Sequence, residues 1–196
     1  MPPFTVLHVC MGNICRSPMA ERLLTLAVTQ AGGDPGYLYS HSAGTGGWHE
    51  GEEMNPPAAR LVKARGGDPQ GFAARKLRAD HIDAADLILT ATADQQEYVV
   101  ALRPDAADRT FVLGEFGRLL SGVDAAALPA ANGTPEEFQQ RGAALVAAVD
   151  ALRAGQDARS GDDLDDPWGR GDSVFGRVAD EITDTLDPLV RLLFAR

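Results

Sequence analysis

The sequence predicts an α/β fold, a parallel sheet with helices on both faces. Three observations predict it. Four short runs read as strands, at 4–10, 37–43, 86–92 and 110–115. Helical patterns alternate with those strands. The first strand passes straight into a helix through the stretch CMGNICRSP, residues 10–18.

FTVLHVC (4–10) is short, apolar and β-branched, so it reads as a buried strand. In the helix that follows, Ser17 is placed to cap and Pro18 to occupy the first helical position. Met19, Leu23, Leu24, Ala27, Val28 and Ala31 then recur at helical spacing, and Gly32 and Gly33 close the element. YLYSHSA (37–43) is the second strand. A loop follows, then a helix over 58–65. DLILTAT (86–92) is the third strand, 94–102 a helix, and TFVLGE (110–115) the fourth strand. Residues 121–133 are rich in Ala, Gly and Pro and read as a loop. Thr134, Pro135 and Glu137 form a capping-box start for a helix that Gly155 ends. Residues 156–172 are polar and loop-like. Val174, Phe175, Val178, Ile182, Leu186, Leu189, Val190 and Leu193 make one apolar face of a C-terminal helix, which Pro188 should kink or interrupt.

The 196 residues fit a single domain, 1–196, and can bury a core without disulfides or a structural metal. Two cysteines five residues apart are not a disulfide scaffold. The N-terminal apolar run is too short for a signal peptide, and no stretch is long enough to span a membrane, so the expected setting is the cytoplasm, with no membrane partner. Eighteen basic and 28 acidic residues give a net charge of −10. That balance argues against a nucleic-acid partner, which needs a basic surface.

The nine residues 10–18 carry chemistry. Backbone amides between a strand end and a helix start can curl around one point, where the helix N-terminus adds positive potential. Gly12 permits a backbone conformation other residues avoid, and Asn13 tolerates the left-handed region. Arg16 offers a planar fork to two oxygens of a tetrahedral dianion. The same field favours the thiolate of Cys10. Plainer readings compete. A cysteine at a strand end is usually a small buried hydrophobe. Cys10 and Cys15 could form half a metal site, but no other cysteine completes it and the four histidines are scattered. A Walker loop would need GxxxxGK[ST], which is absent.

CMGNICRSPMAE closely resembles the phosphate loop of the low-molecular-weight protein tyrosine phosphatases. The resemblance continues in SAGTGGWHEGEEMNPPA (42–58), ARKLRADHIDAADLIL (74–89), DDPWG (165–169) and the C-terminal helix. It implies a four-stranded parallel twisted sheet with the phosphate loop at the end of the first strand. It also implies metal-independent hydrolysis of phosphotyrosine or a small phosphomonoester through a cysteinyl-phosphate intermediate, with no cofactor. Met11, Gly12, Asn13, Ile14, Cys15 and Ser17 would bind the phosphate alongside Arg16. By the same resemblance Asn13 and Ser42 brace the loop, and Cys15 forms a reversible disulfide with Cys10 under peroxide.

A thiolate attacking a monoester needs an acid for the leaving oxygen. Asp162, Asp163, Asp165 and Asp166 all lie in DDLDDPWGR, which on its own reads as solvated surface. Asp166 precedes Pro167, which stiffens its backbone, and an aromatic follows. The resemblance gives the acid role to Asp166, with Asp165 the fallback. Ser17 can hydrogen-bond the Cys10 sulfur. Thiolate and protonated Asp must coexist, so the rate should peak at acidic to near-neutral pH.

Trp48, His49 and Trp168 are candidate pocket walls. Aromatic walls favour phosphotyrosine over phosphoserine, and apolar Ile14 replaces the Thr of phosphoarginine-preferring relatives. The chain departs from the family pattern at Trp168, where Tyr is usual, and at Phe72, where a basic residue or His is common. A third departure is an extra loop and helix at about 116–160, a possible substrate rim or dimer face; a monomer or weak dimer is expected. The rival readings are an arsenate reductase on the same scaffold and a catalytically silent phosphate-binding regulator. The thioredoxin-coupled kind of the first is disfavoured because no cysteine follows Cys15, its thiol-cofactor-dependent kind by the intact Asp-Pro-aromatic motif, and the second because Cys10, Arg16 and Asp166 are intact. A thiol–disulfide protein is disfavoured by the lack of a CxxC spacing.

Overall fold

The computed structural model describes residues 1–131 and 133–194. Four parallel strands form one sheet in the order β2-β1-β3-β4: β1 Phe4–Cys10, β2 Leu38–Gly44, β3 Leu87–Thr90 and β4 Thr110–Val112. Every residue of β1 is buried, because β1 is central and helices cover both faces. Side chains alternate along it. Phe4, Val6 and Cys10 join a large core with α1 (Arg16–Gln30), α5 (Leu113–Leu120), α6 (Pro135–Arg153) and α7 (Asp172–Phe194). Leu7 and Val9 join a smaller core on the opposite face, built with α3 (Ala79–Asp83) and α4 (Ala93–Leu102). The short helix α2 (Pro56–Ala64) adds Ala58 and Val62 to the large core.

Four local expectations need correction. The first helix starts at Arg16, and Ser17 does not cap it. Pro18 therefore lies third in the helix, where its missing N–H is one of the unpaired first-turn donors. The fourth strand stops at Val112; Leu113, Gly114 and Glu115 open α5 instead, where the Glu115 carboxylate accepts the Val112 N–H at 3.2 Å. Residues 125–127 of the expected loop form a 3-10 turn, with Asp124 accepting the Ala126 N–H. Asn132, in that same loop, is outside the described residues. Finally, α7 runs through Pro188 unbroken. The carbonyl that Pro188 cannot satisfy belongs to exposed Asp184, while Leu186, Leu189 and Val190 hold the helix to the core.

The capping box of α6 is present: the Thr134 hydroxyl accepts the Glu137 N–H at 3.2 Å. Ala154 ends that helix in the left-handed region at φ 53°. Phe138, Leu145, Val146 and Val149 of α6 belong to the same large core as β1 and α7.

Candidate active site

The loop after β1 is held from outside by its carbonyls. Those of Cys10, Met11 and Ile14 accept N–H bonds from Thr45, Gly46 and Asn55, each at 2.9 Å. In a trans peptide the N–H points opposite the C=O. The amides of Met11, Gly12 and Cys15 therefore point away from that support. Cys10, Met11, Gly12, Ile14 and Cys15 line a cavity of about 210 Å³ together with Arg16, Trp48, His49, Asp166 and Trp168, whereas Asn13 and Ser17 are buried behind it and do not line it.

Asn13 is the hub of the loop. It takes the left-handed conformation, φ 55°, and is fully buried. The strained position thus falls on Asn13 and not on Gly12, whose lack of a side chain instead makes room for the His49 ring. Asn13 Oδ1 accepts the Arg75 backbone N–H at 2.9 Å, which fixes the orientation of its amide. Its Nδ2 then donates to Ser17 Oγ and to Ser42 Oγ, both at 2.9 Å. Ser42 Oγ donates its own hydrogen bond to Glu21 Oε2 at 2.6 Å. Ser17 already accepts from Asn13, so its O–H is free for the Cys10 sulfur, 2.9 Å away. The Asn13 N–H also faces that sulfur at 3.3 Å. Burial pushes the Glu21 carboxyl above its usual range, against the opposing effect of the Ser42 hydrogen bond.

Cys10, Cys15 and Arg16 are all buried. Burial first, and the neighbouring Cys10 second, push the Cys15 thiol up to about 12, so Cys15 stays protonated at neutral pH. Both cysteines are free thiols. Arg16 Nη1 donates to the Leu164 carbonyl at 3.1 Å, and Nη2 lies 3.7 Å from Asp166 Oδ2.

The structure separates the four aspartates. Asp162 pairs with Arg118, Asp163 accepts the Ala93 N–H at the start of α4, and Asp165 pairs with Arg177 at 2.7 Å. The Arg177 hydrogen bond holds the Asp165 carboxyl below its usual range, which suits a permanent anion and not a proton donor. Asp166 alone among the four faces the cavity. Its other oxygen accepts the Trp168 N–H at 3.1 Å, a local turn around Pro167.

Trp48 and Trp168 are 70% and 61% exposed, so they are rim residues and not core. Trp48 packs against Gly46, where any side chain would overlap its ring. His49 Nδ1 is bonded to Glu52 at 2.8 Å. Phe72 is buried and takes no part in the cavity lining. Among the described residues, no group of three or more His, Cys, Asp or Glu side chains is arranged to hold a metal ion.

Sequence reasoning did not single out Glu21 or Arg118. Glu21 follows Ser17 by one helical turn on the buried side of α1, a carboxylate out of place on an apolar face, and that was a readable signal. Arg118 carries no local signal, because its partner lies 44 positions away.

Residues 5–154 match the family model for low molecular weight phosphotyrosine protein phosphatases. A low molecular weight protein-tyrosine-phosphatase of Streptomyces coelicolor is 39% identical over 124 residues, 63% of this chain and 71% of that one. A protein-arginine-phosphatase of Geobacillus stearothermophilus is 32% identical over 150 residues, 76% of this chain and 94% of that one. The solved low molecular weight protein tyrosine phosphatase of T. tengcongensis superposes with TM-score 0.67 at 25% identity, covering 95% of this chain and 97% of that one. The matched residues include the whole loop 10–18 but stop short of Asp166, whose placement rests on geometry. The chain belongs to the low molecular weight phosphotyrosine protein phosphatase family, and it is a phosphatase.

Proposed function

We propose that the protein hydrolyses phosphotyrosine and related aryl phosphate monoesters through a cysteinyl-phosphate intermediate. The observation that carries this reading is the convergence of Cys10, Arg16 and Asp166 on one small cavity between two exposed tryptophans. Cys10 Sγ attacks phosphorus. Arg16 and the loop amides hold the phosphoryl oxygens, so catalysis is positioning plus electrostatic stabilisation. As the P–O bond breaks, Asp166 gives its proton to the departing phenolate. Asp166 then takes a proton from the water that attacks the phosphocysteine, the S–P bond breaks, and the Ser17 hydroxyl stabilises the returning thiolate. No metal or cofactor enters this scheme, since the developing charge is met by Arg16 and the amides.

The partner is a phosphorylated protein or a small phosphomonoester, with no nucleic-acid or membrane partner. The chain works as one domain, a monomer or weak dimer in the cytoplasm, with segment 116–160 at the substrate rim or a dimer face. Among the described residues no helix is long and apolar enough to cross a membrane.

The Geobacillus relative, named a protein-arginine-phosphatase, motivates a second reading in which phosphoarginine is the substrate. Apolar Ile14 and the tryptophan rim favour the aryl ester. Matched peptides carrying phosphotyrosine, phosphoserine or phosphoarginine separate these readings. The expected kcat/KM for phosphotyrosine exceeds the others by about a hundredfold or more. A preference for phosphoarginine would replace the first reading with the second.

A further inference from the structure

Asp166 is 46% exposed and has few contacts of its own: the 3.7 Å approach to Arg16 and its local turn with Trp168. Such contacts are weak. What places its carboxyl is the path of the chain just before it.

That path has exposed contacts at Asp163, with the Ala93 N–H, and at Asp165, with Arg177, and a sheltered grip at Asp162. Arg118 of α5 makes a two-pronged contact with its carboxylate, Nη2 to Oδ2 at 2.8 Å and Nε to Oδ1 at 3.2 Å. The Arg159 N–H adds a third bond at 2.7 Å. Asp162 is only 6% exposed, so this is a sheltered pair rather than a surface one. Burial alone would raise its carboxyl, but the Arg118 and Arg159 bonds outweigh burial and hold it below the usual range. Gly114 stands one turn before Arg118 on the same helix. A side chain there would overlap the Asp162 backbone. Helix α5 therefore holds Asp162 at two points.

Two residues on, the Leu164 N–H donates to the Ala91 carbonyl at 2.8 Å, and the Leu164 carbonyl receives Arg16 at 3.1 Å. A shift at Asp162 would reach both the Arg16 guanidinium and Asp166.

We propose that Arg118, Asp162 and Gly114 are positioning residues for the proton-transfer step, clamping the loop that presents Asp166 to the leaving oxygen. This rests on the reading of Asp166 as the general acid. A poor leaving group needs the proton more than a good one, so a misplaced acid has a signature that a loosened fold lacks.

The experiment compares kcat/KM for phenyl phosphate and p-nitrophenyl phosphate in wild type, Arg118→Met, Asp162→Asn, Gly114→Ala and Asp166→Asn. Arg103→Met breaks the exposed Arg103–Asp83 pair and serves as control. For Arg118→Met and Asp162→Asn, phenyl phosphate is expected to lose about tenfold more than p-nitrophenyl phosphate. Asp166→Asn should show the same selectivity or more, and Arg118→Met added to it should bring no further selectivity. Gly114→Ala should follow the same pattern if it folds; the Arg118 and Asp162 variants decide the matter if it does not. If Asp166→Asn is selective while the clamp variants lower both substrates equally or neither, the clamp proposal is overturned. If Asp166→Asn itself is unselective, the acid assignment fails, and the clamp proposal with it.

Discussion

The Ser17 hydroxyl lies 2.9 Å from the Cys10 sulfur, and once that sulfur is a thiolate the Ser17 O–H is the donor between them. A donor aimed at the sulfur is most useful when the sulfur leaves as a thiolate. Hydrogen bonds to charged groups contribute about 1.5–3 kcal/mol. Ser17→Ala should therefore lower kcat for p-nitrophenyl phosphate by about ten- to a hundredfold. A burst of nitrophenol should appear in stopped flow as phosphocysteine accumulates. An unchanged kcat with no burst would remove Ser17 from the second step.

Asn13 combines a positive φ with hydrogen bonds to Ser17, Ser42 and Arg75. Asn13→Ala loses the bonds and keeps the strain, at a cost of about 2–4 kcal/mol in urea unfolding. Asn13→Gly loses the same bonds but relaxes the backbone, and should recover about 1 kcal/mol of that. Equal stabilities for the two variants would show that the left-handed position is not strained.

Cys15 shares the cavity with Cys10 and, as a thiol pushed up to about 12, does not compete as a nucleophile at neutral pH. Iodoacetamide should label Cys10 alone. Under mild peroxide the wild type should lose two hydrogens by intact mass, forming the Cys10–Cys15 disulfide. Cys15→Ser should instead gain oxygens on Cys10. Oxygens added to the wild type would reject the protective disulfide.

His8 is buried in β1 with Nδ1 unpartnered, and burial, then His41, lowers its pKa to about 3. The unfolded imidazole titrates near 6.5, so between those values the unfolded chain binds a proton that the native chain refuses. Stability is therefore full above about pH 6.5 and falls as pH drops toward about 3, by up to about 1.4 kcal/mol per pH unit. Glu21, raised by burial, acts with the opposite sign, but comparing wild type with His8→Asn cancels it. The variant should show the shallower acid slope in urea titrations; equal slopes would contradict a neutral buried His8.

Much of this was legible from local sequence. The apolar run to Cys10 and the turn residues after it announce a strand, a loop and a helix, and their chemistry is short-range. Helix α1 starts two residues before the expected Pro18 because Ser17 has the character of a cap, whereas tertiary contacts turn its hydroxyl to the sulfur. The fourth strand is shorter than TFVLGE suggests because Leu113 merely extends the apolar run of Phe111 and Val112; the Glu115 bond to the Val112 amide decides for helix. Four aspartates share one loop. Pro167 and the aromatic after it single out Asp166; the fold adds that the other three are taken by Arg118, Ala93 and Arg177, from three different helices.

The most direct test of the central claim is hydrolysis of p-nitrophenyl phosphate in EDTA, with reduced wild type beside Cys10→Ser, from about pH 5 to about pH 8. Wild type is expected to turn over with a maximum at acidic to near-neutral pH, and Cys10→Ser to be inactive throughout. Turnover that survives in Cys10→Ser, or none in freshly reduced wild type, would contradict a cysteinyl-phosphate mechanism at this site.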